Sequence, residues 1–223
     1  MEIFTTPAGP TERILWIVLI MLVAAFLGGT WLNRQRSKAI GKWLQAGIGL
    51  LGERIAWRWI RSMNSGAEAT VAETRPPFRQ VQLAYFLLTR EFAPLWITEL
   101  LRGKRDLLSI KGHLRSDPAR EYEVVPLHGK LRAALDASVE ERSWQWHELS
   151  DGLGLYTQTP VDGKIIGPVS TFLKTYGPYI ERLSVRKRQP HVILFLRLTG
   201  AENRPVDELI RALQKLLRQE STR

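Results

Sequence analysis

The side chains able to do chemistry in this sequence stand apart from one another. His113, His128, His147 and His191 occur singly. A helical zinc motif needs two histidines one turn apart beside a glutamate, and His147-Glu148 lacks the second histidine. The chain has no cysteine, which excludes thiolate metal ligands, cysteine nucleophiles and disulfides. Thr171 and Lys174 are one helical turn apart, a spacing at which an amine can activate a hydroxyl nucleophile. Their neighbours Phe172, Leu173 and Tyr176 predict a packing helix instead. Gly152-Leu153-Gly154 and Gly163-Lys164 lack the third glycine or the closing Lys-Thr/Ser of a nucleotide loop, and read as turns. No catalytic residue, metal ligand or cofactor site is therefore expected. Arg182, Arg186 and Arg188, with Lys187, make a basic edge at a turn. They are a candidate anion site, against the plainer reading of charges that guard a sheet edge.

The clearest physical signal lies near the start of the chain. Residues 14–32 carry no charge. At ~1.5 Å rise per residue they span about 28 Å, close to the ~30 Å thickness of a hydrocarbon core. A helix is required there, because lipid offers the backbone no hydrogen-bond partners. Trp16 and Trp31 stand near the two ends, where aromatic rings favour the headgroup layer. A cleaved signal peptide would carry its basic residues before the apolar run. Here Glu2 and Glu12 precede it, while Arg34, Arg36 and Lys38 follow. Basic flanks stay on the cytoplasmic side, so residues 1–13 are expected to be a short extracytoplasmic N-terminus. Ala24 with Gly28, and Ala25 with Gly29, have the small-residue spacing that lets membrane helices approach one another.

The net charge is +10, and its excess sits beside the apolar run. Between residues 33 and 63, Arg34, Arg36, Lys38, Lys42, Arg54, Arg58 and Arg61 oppose Glu53 alone. Ile40, Trp43, Leu44, Ile48, Leu51 and Ile55 recur at helical spacing, with Trp57 and Trp59 beyond. Residues 33–63 thus predict a basic amphipathic juxtamembrane helix, with those basic residues and Trp43, Trp57 and Trp59 touching anionic lipid headgroups. The competing reading packs the helix on the domain or on a partner.

Residues 64–77 are small and polar, end in two prolines, and read as a linker. Residues 78–223 then form the expected cytoplasmic domain. Helices are predicted at 80–91, 95–102, 130–142, 169–176 and 205–219. Strands are predicted at 107–115, 121–127, 143–149, 153–159, 180–187 and 191–198. The fold class is α+β, with a mainly antiparallel sheet. From 121 to 187 the order β-α-β-β-α-β points to a ferredoxin-like arrangement.

These features favour a membrane-tethered interaction or scaffold module. Its partners would be anionic lipid headgroups and a protein, or a second copy packed through the membrane helix. The alternative is a membrane-associated enzyme that holds an anionic or lipid-linked substrate on Arg182, Arg186 and Arg188. The near-balanced C-terminal half speaks against nucleic acid.

Overall fold

A computed structural model describes residues 9–128, 130–136, 144–149, 152–158 and 163–221. The first element, α1 (Pro10–Ile48), is one unbroken helix of 39 residues. Pro10 occupies its first turn, where a missing N–H costs nothing. Its apolar stretch stands clear of the domain and is long and apolar enough to cross a membrane. The same helix continues into the domain core. Ile40, Leu44 and Ile48, four residues apart, are all buried.

After α1 the chain forms an antiparallel meander of β1 (Gly52–Trp59), β2 (Gly66–Thr74), β3 (Phe78–Phe86) and, beyond α2 (Ala93–Leu101), β4 (Leu107–Leu114). Then come β5 (Tyr122–Pro126), α3 (Lys130–Asp136), β6 (Gln145–Glu148), β7 (Leu153–Thr157) and α4 (Gly163–Tyr176). A 3-10 turn (Gly177–Tyr179) leads to β8 (Ile180–Val185) and β9 (Val192–Arg197). A helical turn (Leu198–Ala201) precedes the closing helix α5 (Val206–Ser221). The described strands form a single sheet in the order β1-β2-β3-β4-β9-β8-β5-β7-β6. Every neighbouring pair is antiparallel.

The protein is thus α+β with a mostly antiparallel sheet. The strands from β4 onward, and α5, lie close to where the apolar pattern predicts them. Three expectations before β4 need correction. Residues 52–59 form an edge strand rather than the end of a juxtamembrane helix, for the helix ends at Ile48, and Gly49 and Gly52 follow, although the apolar spacing runs on. Residues 66–74 form an interior strand rather than a linker. Their small side chains are a packing device: Ala67, Ala69 and Val71 are buried on the face that meets α1. Residues 78–86 form a strand rather than a helix, with Val81, Leu83 and Tyr85 buried at period two. The domain therefore does not begin near Phe78, because the second half of α1 and two strands before it share its core.

That core lies on one sheet face, under α1, α4 and α5. Phe172, Tyr176, Leu209, Leu213 and Leu217 meet Ile110, Leu183, Leu194 and Leu196 there. Alpha-helix α5 lies against both α1 and α4. At Gly47 an added Cβ would come within 2.9 Å of the Asp207 backbone nitrogen, so the glycine lets α1 cross the start of α5. A smaller cluster of Val125, Leu135, Trp144 and Tyr156 places α3 against the opposite face of β5 and β7. Gly152 precedes β7 as a turn, as expected, whereas Gly163-Lys164, read as a turn, opens α4; Asp151, Asp162 and residues 1–8, the expected N-terminal segment up to Gly9, lie outside the described set.

Candidate functional site

Strand direction gives the sheet two distinct ends. Gly29, Asn33 and Ser37 of α1 meet Arg90, Leu88 and Tyr85 in turn, so β3 runs toward the apolar part of α1. The antiparallel register then puts the end of β1, the β1–β2 turn, the segment between β3 and β4, and the end of β9 at this anchor end. The β8–β9 turn lies at the other end, beyond the Val185–Val192 pair.

The anchor end is held by a polar knot around Asp106, which is 2% exposed. Asp106 Oδ1 accepts the Leu88 N–H at 2.9 Å, and Oδ2 accepts from Arg90 at 2.8 Å and from Arg36 Nε at 3.2 Å. Arg36 also donates to Glu202 at 2.7 Å. Burial works against the charge on Arg36, but hydrogen bonds to Glu202 and Asp106 more than offset it and raise its pKa above the usual value. Buried Asn33 donates to the Leu88 carbonyl at 3.0 Å and accepts from Arg90 at 2.7 Å. One turn on, Ser37 Oγ and the Tyr85 hydroxyl are 2.7 Å apart. Burial pushes the Tyr85 phenol up, and its bond to Ser37 works the other way. Gly29 completes the joint: a Cβ there would stand 2.0 Å from the Arg90 carbonyl oxygen. Gly28 has nothing within 4 Å of such an atom. Of the small residues considered for helix–helix packing, Gly29 is therefore used against the chain's own domain.

The anchor end also gathers the domain's exposed apolar surface. Trp57 and Trp59 end β1, Met63 lies in the β1–β2 turn, and Phe86 ends β3. Phe92, Leu95, Ile97 and Leu101 lie on or beside α2, and none of the residues of α2 is buried. Outside this end and α1, Trp146 and Ile166 are the only exposed large apolar side chains among the described residues.

The basic residues assigned to a lipid surface separate into groups. Arg34, Lys38 and Lys42 are exposed along α1 just past its apolar run, and Arg61 is exposed in the β1–β2 turn. Arg36 instead turns into the Asp106 knot. Trp43 is half-buried and donates its indole N–H to the Arg204 carbonyl at 2.8 Å. Arg58 pairs with Glu68 at 2.8 Å. Arg54 pairs with Glu73 near the start of β1, toward the opposite end of the strand from Trp59. A groove of about 420 Å³ between α1 and β1 is lined by Lys38, Lys42, Trp57, Trp59 and Tyr85.

Of the candidate anion residues, Arg186 and Arg188 stand at the other end of the sheet and Arg182 does not. Arg182, in the body of β8, is engaged by Glu123 at 2.7 Å. Arg186 donates to the Pro190 carbonyl at 2.9 Å, and the Lys187 N–H donates to Glu121 at 2.6 Å. Burial lowers the pKa of Arg186, and the neighbouring charges of Arg188 and Arg182 lower it further. A cleft of about 460 Å³ beside this turn is lined by Glu121, Glu123, Arg186, Lys187 and Arg188, so acids and bases are mixed in it. At ~3.3 Å per residue, β9 separates this turn from the anchor end by about 20 Å.

Two of the remaining candidates, His191 and Thr171, have structural occupations. His191 Nδ1 accepts the Leu114 N–H at 3.0 Å, which leaves the ring proton on Nε2, 3.3 Å from Asp117. Thr171 donates to the Gly167 carbonyl one turn back. Among the described residues no three His, Asp or Glu side chains converge on a possible metal position. The joint itself was hidden in the sequence, since Asp106 and Arg90 lie far along the chain from Arg36 and Asn33. No protein-family model matches this sequence. No curated protein matches it either, so the site is defined by its own geometry.

Proposed function

We propose that the protein is a single-pass membrane protein whose α+β domain is fixed to its anchor, and that it serves as an interaction or scaffold module at the membrane surface. The observation that carries this reading is the continuity of α1. One helix holds an uncharged stretch that the domain leaves bare except at Gly29, and just past the end of that stretch it supplies Ile40, Leu44 and Ile48 to the core. The Asp106 knot sits at the changeover and ties the helix to β3, to the start of β4 and to Glu202. A catalytic tether needs reach, and a flexible linker would supply it; this joint instead sets the height and orientation of the sheet relative to the bilayer.

The basic residues Arg34, Lys38 and Lys42 follow the apolar run and support a cytoplasmic domain. The surface offered to a protein partner is the sheet face away from the helices over β1 to β4, where Arg58, Glu68, Gln82 and Lys111 stand. The enzyme reading has less support. Arg186 and Arg188 lie about 20 Å from the anchor end, and Arg182 and Arg186 are already engaged within the protein. The β-α-β-β-α-β order of 122–185 supports a ferredoxin-like relationship for this half, with α3 on the opposite sheet face as the departure.

Cell fractionation of the full chain tests the anchor. The protein should stay in the membrane pellet through an alkaline carbonate wash, and a reporter active only in the cytoplasm should work when fused after Arg223. Release into the wash would refute the anchor, and activity of a reporter that works only outside the cytoplasm would refute the orientation.

A further inference from the structure

The segment between β3 and β4 leaves the sheet and returns to the same place. Leu88 at its start and Asp106 at its end are joined by the hydrogen bond from Leu88 N–H to Asp106 Oδ1. In between, the chain climbs along α1 in the direction of the apolar run. Leu88 stands at Asn33, and Arg90 stands at Gly29, about 6 Å further up the helix at ~1.5 Å per residue. Gly29 lies inside the uncharged stretch, so α2 begins beside that part of α1 which the anchor reading puts at the edge of the hydrocarbon.

The polarity of α2 is inverted for a helix on a soluble domain. Leu101 is 83% exposed and Ile97 is 52% exposed, and Phe92 and Leu95 are exposed with them. The charged side chain of Glu99, by contrast, is 15% exposed and bonded to Lys104 at 2.9 Å. Four large apolar side chains exposed on and beside one short helix call for a partner surface. At nine residues the helix is too short to cross a bilayer. Its C-terminal end runs straight into Arg102, Lys104 and Arg105. Arg105 folds back to donate to the Leu100 and Lys104 carbonyls. Apolar side chains followed at once by cations match the layering of acyl chains and anionic headgroups.

We propose that the 89–105 excursion is a second membrane contact, with α2 embedded in the bilayer interface beside α1. Phe92, Leu95, Ile97 and Leu101 enter the acyl region, and Arg102 and Lys104 meet anionic headgroups. The commitment to lipid comes from continuity: the patch adjoins the bare apolar surface of α1 at Gly29, and any protein covering it would have to share that surface with the bilayer. This inference rests on the anchor reading of α1.

The chain has no cysteine, so single-cysteine labels can be placed without background. The full chain is reconstituted in nanodiscs of phosphatidylcholine with phosphatidylglycerol. A fluorophore is attached in turn to L19C in the apolar run, L101C on α2 and K111C on the exposed sheet. Lipid-borne and water-borne quenchers are then compared. The proposal expects L19C and L101C to be quenched several-fold more by the lipid-borne quencher, and K111C by the water-borne one. If L19C is in lipid but L101C behaves like K111C, the proposal is overturned and the anchor stands. If L101C is shielded from both quenchers, the patch is a protein–protein face and the lipid proposal is likewise overturned. If L19C itself is reached from water, the anchor reading fails first and takes this proposal with it.

Discussion

Replacing Asp106 by alanine should destabilise the protein more than any other change at the joint. The substitution removes the acceptor of three donors: the Leu88 N–H at 2.9 Å, Arg90 at 2.8 Å and Arg36 Nε at 3.2 Å. Arg36 keeps Glu202 at 2.7 Å, so its charge stays paired. Arg90 keeps Asn33 as an acceptor but loses its carboxylate. A buried N–H left unpaired costs about 1–3 kcal/mol. Breaking one side of a buried ion pair costs about 3–5 kcal/mol. The two losses overlap on one carboxylate, and Arg36 and Arg90 retain some contact with water, so about 3–4 kcal/mol in total is the reasoned value. At roughly 2–4 °C per kcal/mol for a chain of this size, Tm should fall by about 6–16 °C. Asp106→Asn keeps an oxygen for the Leu88 N–H and should lose about half as much. The assay is thermal unfolding of the full chain in nanodiscs, followed by tryptophan fluorescence. A Tm for Asp106→Ala within about 2 °C of the wild type would refute the reasoning.

Neighbouring glycines give a second contrast. Gly29→Leu should cost about 1–3 kcal/mol through collision with the Arg90 backbone, whereas Gly28→Leu should be near neutral; equal Tm values for the two would contradict the close approach. A fragment of residues 78–223 should fail to unfold cooperatively, because it lacks Ile40, Leu44, Leu51, Ala69 and Val71 from the core, while residues 33–223 should succeed. A cooperative transition in the shorter piece would show that the first strands are accessory. At alkaline pH the phenols report on the fold. Burial raises the pKa of Tyr85 and Tyr176, and burial together with a hydrogen bond to Asp136 raises that of Tyr156 to about 12. A raised folded-state value means that this contribution to stability is whole below the unfolded value of ~10 and is lost as pH climbs through the folded values. Phenolate absorbance should therefore lag a model tyrosine, and denaturant midpoints should fall above pH ~10. Simultaneous ionisation of every tyrosine near ~10 in folded protein would overturn this.

How far the sequence could be read depended on side-chain size. The uncharged run in α1 announces itself through length alone, and Val192, Leu194 and Leu196 in β9 through alternation. Residues 66–74 hide a central strand because alanine and glycine give almost no apolar signal. Those same small side chains let α1 lie close over β2, so the property that obscures the strand is the property the packing needs. Residues 40–55 look like one helix because Ile48, Leu51 and Ile55 keep helical spacing across a break made by Gly49 and Gly52. In β3, Gln82 and Ala84 separate Val81, Leu83 and Tyr85, and the pattern is a strand's once the period is counted from Val81. The joint could not be read at all. Asn33 and Arg36 look like juxtamembrane polar residues until folding brings Leu88, Arg90 and Asp106 to them. The candidate anion residues were visible as a basic turn, but their carboxylate partners Glu121 and Glu123 come from a different strand and its flank.

The central claim is that the helix which leaves the membrane is the same rigid helix that enters the core. Hydrogen–deuterium exchange of the full chain in nanodiscs tests it most directly. The account predicts continuous protection along α1 from the uncharged run through Ile48, with the amides of residues 33–39 as slow as those around Leu44. Fast exchange confined to residues 33–39, with protection on either side, would reveal a hinge between anchor and domain and contradict the account.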